Sequence, residues 1–233
     1  MTPVPGVPVL GVVVPVHDEQ EHLAGCLRAL GRARRRLGAR AAVRTVVALD
    51  DCSDASAAVA RRAGVETTVL AARRVGEARR AGCDALLAHG PTPQWIATTD
   101  ADSLVAPAWL AAQLAALAGG HDALVGTVAV ADWSGYPPAL VRRYRDSYDG
   151  SGDPHPHVHG ANLGVATAAY LAVGGFPTLR TGEDVALVAA LDAGGHRVLR
   201  TRDVPVVTSS RRRGRAVAGF AAHLAHLAQL AEA

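Results

Sequence analysis

The 233-residue sequence predicts an α/β fold, a single domain with a mainly parallel central sheet flanked by helices on both faces. Three observations carry this. Short β-branched runs alternate with stretches of helical periodicity through the first half. Acidic residues stand directly after three of those runs, where an open parallel sheet places its ligands. Apolar residues make up 49% of the chain, enough for a full hydrophobic core.

Taken in order, residues 9–14 are β-branched and predict the first strand. Asp18 with Glu21 three positions on has capping-box spacing, and Leu23, Leu27 and Leu30 recur at helical intervals up to Leu37. A strand over 44–49 follows, then a helix over 54–63 with Asp54 as N-cap, a strand over 66–70 and a helix over 75–88. Residues 95–99 predict the fourth strand. Pro107 suits the first turn of a helix that continues through 109–118. The second half is less regular: a strand at 123–130, a helix at 138–148, and a Gly-, Pro- and His-rich loop over 149–160. Helices over 167–173 and 184–193 end at Gly174-Gly175 and Gly194-Gly195. Residues 197–200 and 204–207 are strand-like, and 215–231 form an alanine-rich helix expected to pack on the domain or a partner. No internal repeat or linker divides the chain.

Composition excludes several classes. The net charge is only +3, aromatics are 4%, and the densest arginine runs (34–36 and 211–213) lie far apart, which argues against a nucleic-acid face. The apolar N-terminus lacks a basic leader and is broken by prolines, so it reads as a strand rather than a secretory signal. No apolar stretch is long enough to be a transmembrane segment. Cys26, Cys52 and Cys83 have no metal-ligand spacing and read as reduced thiols, which points to the cytoplasm.

The chemistry begins with Asp100-Ala101-Asp102 after the fourth strand. Two carboxylates at i and i+2 in a turn can face one cation, and hard oxygen donors suit Mg²⁺ or Mn²⁺, which also bind phosphate. Alone, such a pair is more often an ordinary turn. Asp50-Asp51 after the second strand and His17-Asp18-Glu19 after the first are equally ambiguous one by one. Brought to one sheet edge, so many carboxylates need cations or hydrogen-bond donors, and this favours a metal and a nucleotide. The alternating His155, His157 and His159 lack a nearby cysteine or carboxylate to close a tetrahedral site. They read as an acceptor-facing loop, with His159 beside Gly160-Ala161-Asn162.

The ordered series Val12-Val13-Val14-Pro15-Val16-His17-Asp18-Glu19, Leu49-Asp50-Asp51-Cys52-Ser53-Asp54, Asp100-Ala101-Asp102, Gly174-Gly175-Phe176 and Gly182-Glu183-Asp184 resembles the family 2 glycosyltransferases of GT-A fold. The resemblance covers about residues 9–207. It implies a nucleotide-binding half (9–118), an acceptor-side half (119–214) and a C-terminal helix (215–233). It also implies a nucleotide-diphospho-sugar donor (UDP-, GDP- or dTDP-linked) and a hydroxyl acceptor. By the same resemblance Pro15, His17 and Glu19 wrap the nucleotide, Asp51 meets the base, and Arg79 (or its neighbour Arg80) lies near base or phosphate. Asp100 contacts ribose or a metal-bound water, Asp102 ligates Mn²⁺ or Mg²⁺, and Asp184 is the catalytic base of an inverting transfer. His159, Asn162 and Glu183 are expected on the acceptor. The chain departs from the family pattern at Asp18, where asparagine is usual, and at Cys52, where glycine is usual. The rival expectations are a nucleotidyltransferase, which lacks support because no Gly-rich basic loop follows the first strand, and a non-catalytic nucleotide-sugar-binding protein.

Overall fold

The computed structural model describes residues 6–130 and 132–210. The first half runs β1 (Val9–Val16), α1 (Leu23–Leu37), β2 (Ala42–Asp50), α2 (Ser56–Ala63), β3 (Glu66–Leu70), α3 (Val75–Ala88), β4 (Trp95–Thr98), β5 (Ser103–Leu104) and α4 (Trp109–Ala118). The second half runs β6 (Ala123–Val130), α5 (Pro138–Asp149), β7 (Leu163–Ala166), α6 (Thr167–Ala172), α7 (Glu183–Ala193) and β8 (Val198–Thr208). All eight strands join one sheet in the order β3-β2-β1-β4-β7-β6-β8-β5.

Every residue of β1 is buried, as expected of a strand covered on both faces. Its side chains alternate between two cores. Val12, Val14 and Val16 pack with Leu23, Cys26, Leu30 and Leu37 of α1. Val13 faces the other side with Cys83 and Leu86 of α3 and with Leu187, Val188 and Leu191 of α7. A small third cluster joins Val128, Leu140, Tyr144, Tyr148 and Ala161.

Strands β3, β2, β1 and β4 are parallel, so their C-terminal ends share one edge. β7 runs antiparallel to both β4 and β6, and β8 runs parallel to β6. The C-terminal ends of β6 and β8 therefore lie at that same edge, together with the short turn Gly160–Asn162 that enters β7. The expected mainly parallel sheet is present, with antiparallel β7 and β5 added.

Several local expectations are corrected. The Asp18–Glu21 capping box does not form: α1 starts at Leu23 with no side-chain cap. Asp18 instead accepts the amide protons of Ser53 (2.7 Å) and Asp54 (3.1 Å), tying the end of β1 to the β2–α2 loop. Asp54 is not the N-cap of α2, which begins at Ser56, although its carboxylate accepts the Ser56 amide at 2.8 Å. Pro107 precedes α4 rather than opening it. The two strand pieces expected near the C-terminus are one strand, β8. Its polar Arg202-Asp203 and its Pro205 hid the continuity, and the sheet absorbs them with a register shift between Gly126 and Val128. Strands β5 and β7, two and four residues long, carry too little pattern to be seen. The helix expected at 215–231 lies outside the described residues.

Candidate active site

The edge at the ends of β1, β2 and β3 is built by carboxylates that accept backbone amides from neighbouring loops. Asp50 is buried, and its carboxylate accepts the amides of Ala72 (2.7 Å), Arg73 (2.9 Å) and Arg74 (2.8 Å), which pins the loop between β3 and α3. Asp51, exposed by comparison, turns to the side chain of Arg73 in an ion pair. Asp18, Asp51 and Arg73 all hold positive φ angles (53°, 50° and 52°). Three non-glycine residues in this sparsely populated region, at the ends of β1, β2 and β3, mark a backbone shaped for more than packing. His17 donates from Nδ1 to the Asp50 carbonyl (2.6 Å), and the Glu19 amide donates to Ser56 Oγ (2.8 Å). Pro15 and Glu19 are buried and His17 is half-buried, so this loop offers a ligand its backbone and His17.

At the end of β4 lies a buried charge cluster. Arg79 on α3 is 4% exposed and donates to Asp100 Oδ1 at 2.6 Å and to the Glu183 carboxylate. Arg79 is thus clamped between two acids, while Arg80 is exposed and reaches the Phe176 carbonyl (3.0 Å). Glu183, 2% exposed, holds Arg79. Burial pushes the Glu183 carboxyl above its ordinary value of 4.5, with the Arg79 charge opposing the shift. The three carboxylates around it keep Arg79 charged.

Close approach requires glycine at two places. A Cβ on Gly160 would lie 2.3 Å from the Arg79 guanidinium carbon, and one on Gly76 would lie 2.9 Å from Glu183 Cγ. Asp184, half-buried at the start of α7, accepts the Gly160 amide at 2.7 Å and the Val185 amide at 2.9 Å. The Gly160 carbonyl in turn accepts the Thr98 hydroxyl (2.6 Å). Asp184 and Asp100 thus belong to one connected unit through Gly160, Arg79 and Glu183. Sequence reasoning did not identify Thr98, Gly76 or Gly160. None carries a spacing signal, because each acts through a contact between distant segments.

Asp102 is half-buried in the same turn as Asp100, and its carbonyl accepts the Ser209 amide at 3.2 Å. Beneath the turn, Cys26 Sγ donates to the Asp100 carbonyl (3.4 Å), and burial raises that thiol far above its normal range. Asp100, Asp102, Glu183 and Asp184 bring four carboxylates to this edge of the sheet. Their hard oxygens fit Mn²⁺ or Mg²⁺, with Asp102 and Asp100 as the residues that would hold it. Among the described residues, the one group of three converging metal-type ligands is Asp18, Cys52 and Asp54. There the Asp18 carboxylate already serves the Ser53 and Asp54 amides.

Asn162, expected on the acceptor, stands in the turn that enters β7. It is fully buried; its carbonyl oxygen accepts from Trp109 Nε1 (2.8 Å), and its amide nitrogen donates to the Thr127 (2.8 Å) and Val204 (2.9 Å) carbonyls. Asn162 is a cross-brace between α4, β6 and β8. His159 is half-buried and accepts the Tyr148 hydroxyl proton at Nε2 (2.8 Å), while Tyr148 Oη accepts the Val128 amide (3.0 Å). His155 is buried against the Thr201 carbonyl (3.1 Å), and His157 stacks on Tyr148 with centroids 3.9 Å apart. The histidine loop is folded back onto α5 and β8. Cys26 and Cys83 are buried free thiols and Cys52 is half-buried. No helix among the described residues is long and apolar enough to cross a membrane.

Comparisons with known proteins agree with this geometry. Residues 11–169 match the family model described as glycosyl transferase family 2. No curated protein sequence matches. Among solved structures, the chain resembles a mannosyltransferase from Pyrobaculum calidifontis in complex with GDP-Man and Mn²⁺ (TM-score 0.68, 21% identity, 92% of this chain and 60% of that one). It also resembles S. aureus TarS 1-349 in complex with UDP-GlcNAc (0.65, 14%, 95% and 65%). A third is glucosyl-3-phosphoglycerate synthase from Mycobacterium tuberculosis in complex with Mn²⁺, UDP and phosphoglyceric acid (0.60, 12%, 97% and 78%). The chain spans 60% and 65% of the length of the first two. The fold is of GT-A type.

Proposed function

Because the chain belongs to glycosyl transferase family 2, we propose that it moves a sugar from a nucleotide-diphosphate donor to an acceptor hydroxyl in one in-line displacement, with inversion at the anomeric carbon. The observation that carries this reading is the Asp184 carboxylate, fastened by the Gly160 amide at 2.7 Å and joined through Arg79 to the Asp100-Ala101-Asp102 turn. It puts a candidate base and a candidate diphosphate site in one rigid unit. The acceptor hydroxyl hands its proton to Asp184 as its oxygen attacks, and the bond to the nucleoside diphosphate breaks on the opposite face. Asp51, with Arg73 at its side, faces the nucleobase, and His17 and the backbone of the first loop flank it. Glu183 and Arg79 keep Asp100 and Asp184 in place. Asp102 and Asp100 would hold Mn²⁺ or Mg²⁺, which supplies positive charge against the departing diphosphate.

The neighbours crystallised with GDP-Man, UDP-GlcNAc and UDP support a nucleotide-sugar donor, and those with Mn²⁺ support a divalent cation. The test is slow donor hydrolysis across UDP-, GDP- and dTDP-sugars with Mn²⁺ and with EDTA. Metal-dependent release of nucleoside diphosphate from one base class is expected. Pyrophosphate release from a nucleoside triphosphate plus a sugar phosphate, with no donor consumption, would replace this reading by nucleotidyl transfer.

A further inference from the structure

The chain is poor in aromatics, with three Trp, four Tyr and two Phe. One Trp and three of the four Tyr nevertheless fall within residues 133–148, in the loop after β6 and in α5. Tyr144 and Tyr148 are buried in the third core cluster, while Trp133 and Tyr136 lie at its margin, partly exposed. The loop that carries them leaves the sheet at the edge where β4 delivers Asp100.

Two chains of contact fix where Trp133 stands. On one side its ring meets Tyr136 edge-on (centroids 5.6 Å, 74°). The Tyr136 hydroxyl donates to the Ser210 carbonyl (2.8 Å), and the neighbouring Ser209 amide donates to the Asp102 carbonyl (3.2 Å). On the other side Trp133 lies against Tyr144 (5.1 Å, 50°), and Tyr144 stacks on Tyr148 (5.1 Å, 18°). Tyr148 donates to His159, and the next residue, Gly160, holds Asp184. Trp133 is the keystone of an aromatic wall whose contacts lead on one side to the Asp102 carbonyl and on the other to the candidate base, Asp184. Trp95 and Trp109 are fully buried, so Trp133 is the one indole in the described chain available to a ligand.

We propose that Trp133 is the platform of the acceptor subsite and that the acceptor is a saccharide. A partly exposed indole backed by two tyrosine rings is a rigid apolar surface beside polar groups, the composition of a small-molecule site. A pyranose matches it: one ring face presents C–H bonds to the indole, while its hydroxyls remain free for Asp184. A charged acid or a bare acyl chain has no such two-sided character. This inference rests on the glycosyltransferase reading, because it assigns the acceptor of that same site.

Trp fluorescence provides the readout, because Trp133 is partly exposed while Trp95 and Trp109 are fully buried. Methyl glycosides of glucose, mannose, galactose and N-acetylglucosamine are titrated into the protein with Mn²⁺ and saturating nucleoside diphosphate, and Trp fluorescence is followed. At least one glycoside is expected to change the emission saturably. Trp133→Ala should lose the response and raise the acceptor KM at least ten-fold, Trp133→Phe should restore most of the affinity, and both should bind nucleoside diphosphate within two-fold of wild type. No response to any glycoside, or an unchanged acceptor KM in Trp133→Ala, would overturn the proposal. So would loss of nucleoside diphosphate affinity in a folded Trp133→Phe, which would assign the ring to the donor. If the wild type bound no nucleoside diphosphate at all, the glycosyltransferase reading itself would fail, and that result is separate from the glycoside titration.

Discussion

The two halves of the sheet are built by different means. In the β3-β2-β1-β4 half, strand ends are shaped by carboxylates that accept neighbouring backbone amides: Asp50 fixes residues 72–74, and Asp18 fixes residues 53–54. In the β7-β6-β8 half, single side chains bridge distant segments: Asn162 joins α4, β6 and β8, and Tyr148 joins β6 to His159. The first arrangement gives a pre-shaped strand edge whose acids are already held in place by amides and arginines. The second makes the acceptor side dependent on a few cross-links. Arg79 is the join, since it rises from α3 in the first half and grips Glu183 of α7 in the second.

This division predicts that substitutions on the acceptor side damage turnover or folding while donor affinity survives. The largest effect is expected for Asp184→Asn, which keeps shape but cannot take the proton. Turnover should fall by roughly 10²–10⁴-fold, with donor KM within a few-fold of wild type in steady-state kinetics. Near-normal transfer by Asp184→Asn together with an inactive Glu183→Gln would move the base to Glu183.

Next comes the join. Arg79→Met preserves apolar volume but strands Glu183 and leaves Asp100 without its partner. Loss of one member of a buried pair costs about 3–5 kcal/mol. Urea unfolding should show a loss of that order, and a change below about 1 kcal/mol would mean that Arg79 does not hold the halves together.

A smaller, pH-dependent effect isolates Glu183. Its folded carboxyl binds a proton more tightly than in the unfolded chain, because burial outweighs the Arg79 charge. The stabilisation from that proton is full below the ordinary value of 4.5 and is lost as pH rises through the raised folded value. The stability of wild type relative to Glu183→Gln should therefore decline as pH increases from about 4.5 towards neutrality. Thermal melts at stepped pH would measure it. A rising difference would reverse the assignment.

The same contrast explains what the sequence made legible. Strand–helix alternation and acids following strands are local patterns, and they located β1 to β4 and α3, with Asp51 and the Asp100-Ala101-Asp102 turn at strand ends. The boundaries of β3, α3 and β6 match the structure to the residue, as does the end of α4. Arg79, Glu183 and Asn162 were noticed but given ligand roles, because a sequence does not show that their polar atoms are already engaged across 104, 21, 53, 35 and 42 positions of chain. Gly160 and Gly76 were missed for the same reason: the space that excludes a Cβ is created by Arg79 and Glu183 arriving from elsewhere. β7 went unseen because four residues of Leu-Gly-Val-Ala have no periodicity to read.

The central claim is that Asp102 serves the donor and Asp184 the acceptor. The most direct measurement is calorimetric titration of UDP, GDP and dTDP, with Mn²⁺ or EDTA, into wild type, Asp102→Asn and Asp184→Asn. One diphosphate should bind wild type and Asp184→Asn within a few-fold of each other. It should bind Asp102→Asn or EDTA-treated wild type at least about ten-fold more weakly, a difference near 1.4 kcal/mol. Equal losses in the two variants, or wild-type affinity untouched by EDTA, would contradict the division of the site.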